Sequence, residues 1–211
     1  MKNELPAVAP SNVPATTVNQ QGHTNVHVDR AENITQNITL IPVVQHTSSG
    51  GMRPTTQAVN NEYYHLFVMG GESFEQNHFI VPADRALAAY WTTDELREKY
   101  GRLSDENIEK LKTFPALFMP EAEGYYARPT DEQQAYLGII EDIRIQDNGI
   151  KIRWRMIWPI PMQQISSIGF ELGIKDMTRA LSELNRTHWA IKHINLIEEL
   201  KDAKITLFGI T

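Results

Sequence analysis

Seven histidines, at positions 23, 27, 46, 65, 78, 188 and 193, are the most versatile chemical groups in this chain, and their spacing limits them. His188 and His193 stand five apart. Neither a helix, with its i, i+4 face, nor a strand, with its i, i+2 face, lines them up as a ligand pair. His23 and His27 have usable spacing but sit in a weakly patterned polar stretch without a nearby acid cluster. No metal site is expected. Cysteine is absent, which removes disulfides, thiol nucleophiles, thiolate metal sites and iron–sulfur clusters. Gly70-Gly71-Glu72-Ser73 approaches a G-x-S-x-G elbow but lacks its second glycine. No phosphate loop, G-x-G-x-x-G run or H-E-x-x-H pair occurs. Acid pairs such as Glu141-Asp142 and Asp131-Glu132 are adjacent, so a strand would turn their members to opposite faces. The expectation is a protein without an active site and without a cofactor.

Two clusters could bind rather than catalyse. Lys151, Arg153 and Arg155 alternate with apolar residues, and Arg144 joins them across a turn, making a four-cation face. Single-stranded nucleic acid sites combine such a face with aromatics for base stacking. Here Trp154 and Trp158 fall on the opposite side, which weakens that reading and favours a solvated outer face. The second cluster is Glu183-Leu-Asn-Arg-Thr-His-Trp-Ala-Ile-Lys192. As a strand it turns Arg186, His188, Ala190 and Lys192 outward or towards a polar groove, with Thr187, Trp189 and Ile191 behind. A structural reading gives Trp189 to the core and lets the polar groups fix a turn. Arg144, Lys151, Arg153, Arg155, Arg186, His188 and Lys192 are therefore the candidate contact residues, for a partner protein or for nucleic acid.

The elements that must position these residues centre on Ile139–Trp158. Asn148-Gly149 between two alternating runs is a strong hairpin signal, because both residues tolerate positive φ. Ile150, Ile152, Trp154, Met156 and Trp158 share one face. With Asn148-Gly149 at the turn, Ile145 opposes Ile152, Ile143 opposes Trp154, Ile139 opposes Trp158, Asp142 opposes Arg155, and Arg144 opposes Arg153. Upstream, Tyr64–Met69 and Phe79–Val81 read as strands, Asp84–Tyr90 as a helix, and Thr92-Thr-Asp-Glu95 as the cap of a helix stopping at Gly101. Ser104 caps Asp105–Thr113, which has acids in its first turn and lysines in its last. Ala116–Met119 reads as a strand, and Met162, Ile165, Ile168 and Leu172 as a helix ended by Gly173. Residues 186–192 read as a strand with a short helix capped by Asn195, or else as part of one helix from about 184 to 200.

Residues 1–22 are rich in Pro, Ala, Asn, Thr and Gln and read as a disordered tail. Val26, Val28, Ile34, Ile38 and Leu40 suit short polar strands that pair with another element or another copy of the chain. Thr47-Ser-Ser-Gly-Gly-Met-Arg-Pro reads as a linker. The expected division is 1–60, a tail with a strand-forming segment, and 61–211, an α+β domain. That domain is a small antiparallel sheet or partly open β-barrel with flanking helices.

The net charge of −6 disfavours a protein that wraps duplex nucleic acid. It is unevenly spread: residues 94–147 carry seven basic and thirteen acidic side chains, residues 151–211 nine and six. No apolar run approaches the roughly 20 residues a membrane span needs. The N-terminus lacks a secretory apolar core, so a cytoplasmic location is expected.

The stretches F-P-A-L-F (114–118), Y-L-G-I-I-E-D-I-R-I-Q-D-N-G-I-K-I (136–152) and E-L-N-R-T-H-W-A-I-K (183–192) together resemble a group of uncharacterised bacterial proteins over about residues 64–204. That resemblance carries no catalytic residue. N-V-H-V-D-R-A-E-N-I-T (25–35) is similar to short strand segments in multicomponent bacterial conflict systems, anti-phage defence among them. It implies an accessory role. The reading is a non-enzymatic, cytoplasmic interaction protein that contacts another protein or copies of itself. The alternative is a nucleic-acid-binding module using the basic hairpin face.

Overall fold

A computed structural model describes residues 38–46, 52–72 and 74–207. The tail expected over 1–22, the positions Val26, Val28 and Ile34, and the His23/His27 pair lie outside the described residues. The described chain belongs to one compact unit. It opens with β1 (Ile38–His46) and β2 (Met52–Asn60), an antiparallel pair running from Ile38 opposite Asn60 to His46 opposite Met52. Met52-Arg53-Pro54, expected in a linker, thus lie in β2. The pair forms a sheet of its own. It is tied down where β2 ends: Val59 is buried against Ile139 and Ile157, and the Asn60 amide donates to Thr113 O at 2.8 Å.

The main sheet has six strands, β3 (Tyr64–Met69), β4 (His78–Val81), β5 (Pro115–Pro120), β6 (Gln134–Gln146), β7 (Gly149–Pro161) and β8 (His188–Lys192), in the order β4-β7-β6-β5-β3-β8. β3 and β5 are parallel and the other pairings antiparallel. The sheet is therefore mixed, where an antiparallel one was expected. The long crossover from β3 to β5 makes parallel pairing possible. In a flat sheet β3 and β4 would stand four spacings apart, roughly 19 Å. Instead the Phe67 and Phe79 rings meet at 5.4 Å, so the sheet curls. Beyond β4 only a single bridge, Ala86 to Trp189, reaches β8. The curl stops short of closure, and the sheet is not a barrel.

Strand alternation splits the apolar residues between two faces. Phe67, Phe118, Ile152, Trp154 and Trp189 line the concave face, and α1 (Asp94–Tyr100) and α2 (Asp105–Leu111) close it with Leu96, Tyr100 and Leu111. Phe118, Phe67 and Trp189 are direct register partners across β5, β3 and β8. Their rings stack at 5.0 and 5.4 Å, each pair contributing about 0.5–1.5 kcal/mol beyond its burial. Tyr64, Leu66, Leu117 and Leu137 line the other face under α3 (Met162–Ser167) and α4 (Leu196–Asp202).

Two helix starts follow capping chemistry, whereas α1, expected to be capped from Thr92, begins after Thr93 without a side-chain cap bond. Ser104 accepts the Asn107 amide hydrogen bond and Asn195 that of Glu198. Asp84–Tyr90 does not form the expected helix: a 3-10 turn at Ala83–Arg85 ends in extended backbone. The edge of β8 draws the backbone away, since Ala88 N–H donates to Trp189 O. The helix expected to reach Leu172 stops at Ser167 and gives way to turns, with Gly173 at φ +64°.

The hairpin register also differs from expectation. Gln146 faces Gly149, so Asp147 and Asn148 occupy the turn. Ile145 then opposes Ile150, Ile143 opposes Ile152, Arg144 opposes Lys151 and Asp142 opposes Arg153. Gly149 sits at φ +136°, conformational space that side chains avoid. Register shifts fall between Ile140 and Asp142 and between Leu137 and Gly138. The second, a bulge at Ile157, moves Trp158 to the face opposite Trp154. It leaves Met156 exposed.

Candidate functional site

The structure separates the seven predicted contact residues into three environments. On the hairpin, the cations are held by acids of their own strand pair. Arg144 Nε donates to Asp142 at 2.7 Å. Glu141 takes Arg155 Nε at 2.6 Å and lies 3.6 Å from Arg153. The cationic face is thereby largely neutralised around Lys151, and its tryptophans pack into the core.

His188 and Lys192 point inward, because β8 is covered on both faces. They meet Glu183, itself fully buried. Glu183 Oε1 lies 3.0 Å from His188 Nε2, and Oε2 accepts Lys192 Nζ at 2.9 Å and Lys175 N–H at 2.7 Å. Lys192 also donates to Gly173 O at 3.0 Å and Trp91 O at 3.3 Å, which uses its three protons. His188 Nδ1 lies 2.7 Å from Arg186 O. Burial alone would raise the Glu183 carboxyl, but the His188 hydrogen bond and the Lys192 charge outweigh it and hold it below its ordinary value. Burial lowers Lys192, with Glu183 offsetting part of the effect. This network has no solvent face and fixes structure. The outward orientation expected of His188 and Lys192 is corrected accordingly.

A second buried histidine was not singled out by its sequence context. His65 lies between Leu111 O, 2.9 Å from Nε2, and the Trp189 indole, whose Nε1–H donates to Nδ1 at 3.1 Å. One nitrogen donates and the other accepts, so the ring is held neutral. Burial lowers it from 6.5 to about 4.

Arg186 is the predicted contact residue that faces solvent on a concavity. An open groove of about 650 Å³ is lined by Gly70, Pro82, Arg85, Glu121, Leu181, Asn185, Arg186 and Thr187. Gly70 follows β3, Glu121 follows β5, and Thr187 precedes β8, so the paired ends of three strands position the floor. Thr187 Oγ1 donates to Glu121 at 2.6 Å and accepts from Gly70 N–H at 2.8 Å. Beside the groove, the loop 121–130 is pinned from inside. Asn185 Nδ2 donates to Ala122 O and Gly124 O at 2.8 and 2.9 Å. Gln133 donates to Glu121 O at 2.6 Å and accepts from Glu123 N–H and Thr130 N–H. The Ser166 hydroxyl closes the set on Ala127 O.

That loop displays Tyr125 and Tyr126, and its Tyr126 N–H donates to Ala180 O at 2.9 Å. Residues 168–182 therefore continue the surface. They carry Phe170, 87% exposed, and Leu181, and the Tyr90 hydroxyl donates to their Asp176 at 3.0 Å. Five exposed large apolar side chains, Tyr90, Tyr125, Tyr126, Phe170 and Leu181, thus lie on or against one segment. The two amides that clamp the loop, Asn185 and Gln133, carry no sequence signal of that role. Among the described residues no group of three His, Asp or Glu side chains converges to hold a metal ion, and no helix is long and apolar enough to cross a membrane. No family model, curated protein or solved structure matches the chain.

Proposed function

We propose that the protein is a non-enzymatic interaction component, an accessory subunit that holds another protein against the face formed by loop 121–130 and residues 168–182. The observation that carries this reading is the set of exposed side chains Tyr125 and Tyr126 on the clamped loop 121–130 and Phe170 and Leu181 on the segment bonded to it, with Tyr90 tied to that segment through Asp176 and Leu181 sharing the groove with Arg186. Clustered exposed apolar groups mark interaction sites, and Tyr, Phe and Arg are enriched in interface cores. The clamps reduce the ordering cost of binding. A bacterial setting and a part in anti-phage defence rest on the resemblance of the short segments described above, and a cytoplasmic one on the N-terminal composition. The test is a tagged pull-down from the native host, read by mass spectrometry with and without nuclease. A stoichiometric protein partner that survives nuclease and is lost in Tyr126→Ser/Phe170→Ser supports the reading. Capture unchanged by these substitutions, or nucleic acid alone, overturns it.

Self-association is a second reading, favoured by the β1–β2 pair. It forms no ladder with the six-stranded sheet, and an isolated hairpin is marginal in water. Among the described residues no further strand pairs with its outer edges, which suits them to a strand of a second copy. Removing residues 1–58, which spares Val59 and Asn60, should lower the sedimenting mass of any oligomer. An unchanged mass refutes this reading.

A further inference from the structure

We propose that the groove binds an acidic segment of the partner protein, with Arg186 and Arg85 receiving a side-chain carboxylate and Leu181 and Pro82 taking the adjoining apolar side chain. This inference rests on the interaction reading above and specifies the chemistry of its central contact.

The argument is an inventory of what each lining group has left to offer. Asn185 spends its amide protons on Ala122 O and Gly124 O. Thr187 gives its hydroxyl proton to Glu121 and accepts from the Gly70 N–H. Arg186 is exposed, and its side chain makes no hydrogen bond or ion pair with the described residues. Among the described residues Arg85 pairs with its neighbour Asp84, at 3.3 Å and largely in water, a pairing worth little. The available donors are thus two guanidinium groups, whose forked geometry matches a carboxylate. This sets them apart from Arg155, which Glu141 holds in a pair partly buried on both sides.

Glu121 decides the class of anion. Its second oxygen remains able to accept, and its charge sits in the same groove as the arginines. A polyphosphate or nucleic acid backbone brings only acceptors and repeated negative charge to that carboxylate. A peptide brings a backbone N–H beside each acidic side chain, so it can satisfy Glu121 and the arginines together. Gly70 keeps the arrangement open: a Cβ there would lie 2.8 Å from the Glu121 carboxyl carbon and 3.0 Å from Thr187 Oγ1. The groove also falls within the size range of ligand sites, about 300–1,000 Å³.

The experiment selects a phage-displayed library of random heptapeptides on the full-length chain, then measures the enriched peptides by fluorescence anisotropy. Expected sequences carry Asp or Glu next to Leu, Ile or Phe. Their affinity should fall at least tenfold in Arg186→Glu and Arg85→Glu, less in Arg186→Lys, and not at all in Arg102→Glu. The thermal midpoint of each variant is read alongside. Enriched peptides without acidic residues, failure to enrich any sequence, equal binding by Arg186→Glu, or displacement by an equimolar thymidine oligonucleotide overturns the inference. If the native partner is still captured by Arg85→Glu/Arg186→Glu but lost in Tyr126→Ser/Phe170→Ser, the interaction reading stands and this inference alone falls.

Discussion

Acidification should weaken the fold through His65 before any carboxylate network is titrated. The ring is fully buried, donates to Leu111 O and accepts from the Trp189 indole, and titrates near 4 in place of 6.5. Between those values the unfolded chain takes up the proton and the folded chain refuses it. Stability from this group is therefore complete above pH 6.5 and is lost as pH falls towards 4. At about 1.36 kcal/mol per unit, a shift of this size is worth about 3 kcal/mol, of which about 2 kcal/mol is lost by pH 5.

Glutamine separates this effect from other titrations. Its amide can donate to Leu111 O and accept from Trp189 but does not ionise in this range. Urea unfolding of the wild type and His65→Gln, followed by tryptophan fluorescence from pH 7.5 to 4, gives a stability gap at each pH. Other groups cancel in that gap. It should narrow by about 2 kcal/mol between pH 7 and 5. A gap independent of pH would refute the neutral assignment of His65.

Three further substitutions test the architecture by chemical denaturation. Glu183→Ala leaves Lys192 buried without its counter-charge and should cost about 3–5 kcal/mol, whereas Glu183→Gln/Lys192→Met should cost less than the two single changes added. Gly149→Ala places a Cβ 2.4 Å from Val81 O at φ +136° and should cost about 2–3 kcal/mol. Asn185→Ala removes the bonds to Ala122 O and Gly124 O; it should cost about 1–3 kcal/mol and open loop 121–130 to limited proteolysis.

The elements most legible in the sequence were those whose information is local. Period-two alternation found β6 and β7, an apolar run closed by Gly70-Gly71 found β3, and the Ser104 cap found α2. Residues 186–192 stayed open between strand and helix, and the structure makes them β8 followed by the Asn195-capped α4. The turn of the hairpin was placed correctly to within two residues, but register depends on conformation that residue types do not encode. Gly149 could have been the second turn residue or the first strand residue, and its φ of +136° selects the latter. The register shifts then redistribute Met156 and Trp158. The parallel β3–β5 pair was missed because its evidence is a crossover spanning α1 and α2, not a pattern inside either strand. Asp84–Tyr90 failed as a helix because the edge of β8 competes for its backbone.

The second cluster shows why polarity misleads about function. Alternation placed His188, Ala190 and Lys192 on one face correctly, and their polarity implied that this face meets solvent or a ligand. Glu183 reverses that conclusion by supplying the charge and lone pairs that let Lys192 and the His188 ring leave water. A buried ion pair leaves one residue of the same stretch, Arg186, without a partner in the described structure. Glu183 and His188 anchor the ends of that stretch in the core, so Asn185, Arg186 and Thr187 are held between two fixed points. The chain thus spends its most reactive-looking groups on rigidity, and the groove gains a guanidinium whose backbone is already positioned before any partner arrives.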